Sequence, residues 1–230
     1  SLNVFSVRFA NIGFSEKEIN VSMASRDRGT FRCGLIARVT LLSSRSDYCL
    51  ISSETRGSAN ILFAGDSHAN SIKEALVKAL PGRNVYLLNE NEGLSALSLE
   101  TYIAALDRKH FDYLILHSRI NNIDAEALNI LIGVLNRLNT KLIIIGPTPE
   151  LDFSVPPYLM QFADTTKTSA AVYLSGFRLE DYNLEYQKEL SNYRDLDRLG
   201  KLTFIDIGPV YCTPRCQIAN MYDLKPFYFD

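Results

Sequence analysis

The segment 61–76, ILFAGDSHANSIKEAL, limits this chain more than any other, because an apolar run, a glycine turn and a helical pattern follow one another without a gap. Ile61, Leu62, Phe63 and Ala64 read as a short buried strand, Gly65 permits a sharp turn, and Ile72, Leu76 and Leu80 recur at helical spacing. A buried strand turning directly into a helix belongs in an α/β protein, and it sets Ser67 at a helix N-terminus. There the first backbone N–H groups lack intrahelical partners and the helix dipole favours negative charge. An oxyanion forming beside the serine would be stabilised, which is what acyl transfer requires. Serine also serves as an ordinary helix cap, and these residues alone leave both roles open.

The rest of the chain continues the pattern. Short apolar runs predict strands at 61–64, 84–88, 113–117, 141–145 and 202–206, with helices at 70–80, 97–108, 125–138 and roughly 180–199. Strands separated by helices imply a three-layer α/β/α sandwich around a parallel sheet of about five strands. Residues 1–58, rich in Ser and Arg with turn signals at Asp27-Arg28-Gly29, read as an irregular or helical extension packed on a domain spanning 59–230. Ligands of such sheets bind beyond the carboxyl ends of the strands. Ser67 and the loops at 89–93 and 118–122 should therefore face one crevice.

Composition narrows the partners. Across 230 residues the net charge is −2 and there is no long basic run, which argues against a nucleic-acid binder. No stretch approaches 18 apolar residues and no export leader opens the sequence, so no membrane span is expected within it. A start at Ser1 rather than Met suggests an excised or processed piece. The cysteines fall into two local groups, Cys33 with Cys49 and Cys212 with Cys216. Two disulfides in an oxidising compartment fit this arrangement; buried free thiols, or zinc at the Cys212-x3-Cys216 spacing, are the other readings. Neither a metal nor a cofactor is expected.

Gly65-Asp66-Ser67-His68 after an apolar strand resembles the first block of the SGNH (GDSL-type) hydrolase superfamily. Gly146-Pro147-Thr148-Pro149-Glu150, the Cys212/Cys216 pair and the ending Pro226-Phe227-Tyr228-Phe229-Asp230 are similar to the SGNH domains fused to integral-membrane acyltransferase-three proteins. The resemblance implies an extracytoplasmic O-acyltransferase, most simply an O-acetyltransferase, that modifies a bacterial surface glycan. Its acyl donor would come from a membrane acyltransferase domain of the same protein, on the periplasmic or extracellular face. It leaves open a carbohydrate esterase with water as acceptor, a non-catalytic glycan-binding module, and the oligomeric state.

The resemblance also assigns roles. Ser67 is the nucleophile, and its backbone N–H joins Gly93 and Asn121 in the oxyanion hole. Gly82 is the nearby rival to Gly93, and Asn121 reads equally as a loop cap. The family's Gly-x-Asn-Asp block is here Arg119-Ile120-Asn121-Asn122, keeping the asparagine but neither the glycine nor the aspartate. Arg119 and His68 are expected on the substrate side, although Arg119 also fits a surface ion pair. Asp230 is the triad acid, with Asp223 a weaker rival, and the family's Asp-x-x-His pattern places the base just past Asp230. Residues 1–230 alone are then expected to fold but to lack the base. His68 belongs to the first block without being the base, whereas His110 and His117 flank the third strand and His117 could reach the crevice. Asp66 is expected to cap the helix or bond the turn.

Overall fold

Alternating apolar runs and amphipathic stretches produce a six-stranded sheet in this computed structural model, which describes residues 48–88, 93–150, 155–161, 178–212 and 215–219 together with Ser15, Glu16 and Ile19. The strands are β1 (Tyr48–Leu50), β2 (Asn60–Gly65), β3 (Asn84–Leu88), β4 (Tyr113–His117), β5 (Lys141–Ile145) and β6 (Thr203–Ile205). They lie in the order β1-β3-β2-β4-β5-β6. All pairings are parallel except that of β1 with β3, where Cys49 faces Leu87 in antiparallel register. The helices are α1 (Ser67–Ala79), α2 (Leu99–Arg108), α3 (Ala125–Leu138), α4 (Val155–Met160), α5 (Leu179–Glu185), α6 (Gln187–Arg198) and α7 (Gly208–Tyr211). No helix among the described residues is long and apolar enough to cross a membrane.

The central strands β2, β3 and β4 bury both faces, as parallel strands do. Ile61 and Phe63 form one cluster with Val85, Leu87, Ile115 and the α1 residues Ala69, Ile72 and Leu76. Side chains alternate along a strand, so Leu62, Leu114, Leu116, Leu142 and Ile144 point to the opposite face, where they too are buried. Six buried residues of α3, from Ala127 to Leu135, give it a continuous apolar stripe, and it packs on β5 and on α2. A helix layer on either side of the sheet is the expected α/β/α arrangement.

Three details differ from the sequence reading. A sixth strand, β1, lies inside the 1–58 segment; three residues are too few to show a period, and the strand exists through its pairing with β3. The expected helix at 180–199 is two helices, broken at Tyr186, whose φ of −103° and ψ of 17° leave the helical region. Tyr182, Tyr186, Leu190 and Tyr193 are all buried, so the apolar stripe runs through the break and hides it. Finally, α1 begins at Ser67 rather than at residue 70, because Asp66 caps it.

The described residues fall into two compact units. One, within Gly29–Thr148 and Tyr186–Ile207, holds the sheet with α1, α2, α3 and α6. The other, within Ser1–Arg28, Pro149–Glu185 and Gly208–Asp230, holds α4, α5, α7 and the Cys212–Cys216 disulfide. In this second unit the Tyr182 ring lies so close to Gly208 that a side chain there would overlap it. The bond between Cys212 and Cys216 removes both the free-thiol and the zinc readings for that pair. Cys49 is also disulfide-bonded; its expected partner Cys33 lies outside the described residues.

Candidate active site

The turn between β2 and α1 is shaped by one close approach. Gly65 pairs with His117 in the β2–β4 register, and a side chain on Gly65 would overlap the His117 carbonyl. Its φ of 146° is likewise open mainly to glycine. The next residue, Asp66, is buried, and its carboxylate is saturated. One oxygen accepts the His68 N–H at 2.9 Å, capping α1. The other accepts the Arg119 N–H at 2.9 Å and the Asn122 side-chain N–H at 2.6 Å. The Asp66 N–H donates to Ser118 Oγ at 3.2 Å. A buried carboxylate costs little once so many donors meet it, and here those donors lock the start of α1 to the loop after β4. Asp66 takes the cap role, so Ser67 is the first helical residue, exposed and relieved of capping.

The loop after β3 is tied to the same place. Gly93 has a φ of 73°, and a side chain on it would overlap the Asn122 carbonyl. Leu94 donates its N–H to that carbonyl at 2.8 Å, and Asp124 N–H returns to Leu94 O at 2.8 Å. The Gly93 carbonyl accepts from Ser98 Oγ at 2.9 Å and Tyr102 OH at 3.1 Å. Gly82, the rival glycine, lies in the turn just before β3 and thus at the other end of the strand. Asn121 is exposed within the short 3-10 turn Ile120–Asn122, while Asn122 is committed to Asp66.

The histidines divide sharply. His110 precedes β4, at the end of the sheet opposite Ser67, and lies exposed beside Asp112 at 3.9 Å. His68 Nε2 accepts from Arg119 Nε at 3.4 Å. His117, at the end of β4, is fully buried; its Nδ1 lies 3.3 Å from the Ile145 carbonyl and its ring centroid 5.9 Å from that of His68. Burial drives the His117 pKa from 6.5 down to about 4, with the Ile145 carbonyl opposing the shift, His68 adding to it and Asp66 again opposing it.

Ser67, Asp66, His68, Gly93, Arg119 and Asn121 thus gather at the carboxyl ends of β2, β3 and β4, while Asp223 and Asp230 lie outside the described residues. Sequence reasoning missed Ser118 and Asn122. The available signal was Asp66 itself, since a carboxylate in an apolar turn must find donors on a neighbouring loop. The family model described as SGNH domain (fused to AT3 domains) matches residues 32–230. No curated protein matches the chain.

Proposed function

The chain belongs to the SGNH domains fused to AT3 domains, and on that premise we propose that it carries an acyl group, as an ester on Ser67, to a hydroxyl of a bacterial surface glycan. The observation that carries this reading is the exposed Ser67 at the start of α1, freed from capping by Asp66. Ser67 Oγ attacks the carbonyl of the acyl donor, and its proton passes to the histidine of the Asp-x-x-His pattern, oriented by Asp230. The tetrahedral oxyanion is held by N–H groups of Ser67 and Gly93 and by the Asn121 side chain. Collapse expels the donor's leaving group, protonated by that histidine. The sugar hydroxyl then gives its proton to the same base, attacks the ester and leaves with the acyl group, restoring Ser67.

Acetyl is the group we assign. The AT3 domain would supply it across the membrane, with this domain working on the periplasmic or extracellular face, where the disulfides fit an oxidising compartment. The test uses the full-length protein, following a labelled acetyl group into glycan. Ser67→Ala should cut transfer on the order of 10³-fold or more while the protein stays folded. Near-normal transfer by that variant would overturn the assignment. Label appearing as free acetate rather than on glycan would make the domain an esterase.

A further inference from the structure

His117 is a buried titratable group that the proposed reaction does not use, and its surroundings are specific. A carbonyl can only accept, so the Ile145 oxygen 3.3 Å from Nδ1 places the His117 proton on that nitrogen. The ring is neutral, as its lowered pKa of about 4 agrees, and Nε2 is left as an acceptor. Among the described residues nothing hydrogen-bonds this buried Nε2, a cost that an apolar side chain in its place would avoid. His68 is the complement. Arg119 Nε can only donate, so the His68 Nε2 it meets at 3.4 Å carries no proton and the proton of the neutral ring lies on Nδ1. One imidazole offers a donor and the other an acceptor, with centroids 5.9 Å apart and planes tilted by 42°.

We infer that His117 is a positioning residue for the serine site, its Nε2 accepting from His68 through one bridging water and so fixing the ring on which Arg119 rests. The donors then run in one direction, from Arg119 Nε to His68, from His68 through the water to His117, and from His117 to the Ile145 carbonyl. A proton added to either ring would set donor against donor and break the series. Because Arg119 also gives its backbone N–H to Asp66, the arrangement holds the guanidinium's position relative to Ser67. The inference rests on the proposed acyl transfer for its consequence, which is placement of the glycan acceptor by Arg119.

The experiment is a double-variant cycle in the full-length protein, reading acceptor KM, kcat and melting temperature. His117→Leu and His68→Leu should each raise the acceptor KM about tenfold, with kcat changed far less, and the double variant should be no worse than either alone. His117→Gln places an N–H donor group and a carbonyl acceptor at a spacing similar to that of the two imidazole nitrogens, and should stay within about threefold of the parent. Additive effects on both KM and melting temperature, a His117→Leu protein with the parent's KM, or a His117→Gln protein as impaired as His117→Leu would each overturn the inference. Non-additive melting temperatures alone would sustain the coupling even if Ser67→Ala remained active and the acyl-transfer reading failed. If the leucine variants do not fold, retention of the parent KM by His117→Phe would overturn the inference, and a tenfold rise in folded His117→Phe would support it.

Discussion

His117 makes the protein's stability depend on pH in a direction fixed by the sign of its shift. Its folded pKa, about 4, lies below the ordinary 6.5, so between those values the unfolded chain binds a proton that the folded chain does not. Stability is therefore complete above about pH 6.5 and declines as pH falls toward about 4, by up to about 3 kcal/mol from this one group. Denaturation midpoints measured from pH 7.5 down to 4 should show that decline, and His117→Gln should flatten it. A parent protein equally stable at both ends would sink the claim. Asp66 is the contrasting case. Its cap role was legible in the sequence, because an acid just before a helical pattern is a standard start signal. Which of two neighbouring asparagines, Asn121 or Asn122, would turn toward it was not, since one residue of rotation in a short turn decides the matter.

The strands β3, β4 and β5 were read at their observed bounds because each is a five-residue run between polar or turn residues. The short edge strand β1 and the break between α5 and α6 escaped notice because their causes are pairing and packing elsewhere in the chain, not local composition. The loop joining β3 to α2 shows how much of the site depends on such packing. Gly93 was singled out only for lying after its strand. What makes it special is the Asn122 carbonyl against its Cα on one side and the Ser98 and Tyr102 hydroxyls on its own carbonyl. Gly93→Ala combines a strained φ with that overlap, so the loop must move. Transfer should fall about 10²-fold, the scale of a displacement near 1 Å at a reacting centre, with the β-sheet circular dichroism unchanged. Normal turnover in that variant would remove Gly93 from the oxyanion hole.

The two units should respond differently to loss of the Cys212–Cys216 bond. A loop closed this tightly contributes about 2 kcal/mol by chain entropy, and the bond adjoins α7 directly. Replacing both cysteines by alanine should speed amide exchange in Leu179–Glu185 and Gly208–Tyr211, while the strands β2 to β5 keep their protection. Unchanged exchange in α7 would contradict this. The strand order has a kinetic meaning as well. β2 lies between β3 and β4, and the Asp66–Ser118 bond joins residues 52 apart in sequence. No fragment of local structure can build the serine turn, for its walls are borrowed from two later segments of the chain. High contact order of this kind delays assembly, and under the proposed acyl transfer it gives Ser67 an intrinsic clock: the serine turn acquires its surroundings only when the middle of the sheet has closed, so a chain caught midway through folding carries the serine without the walls the reaction would need.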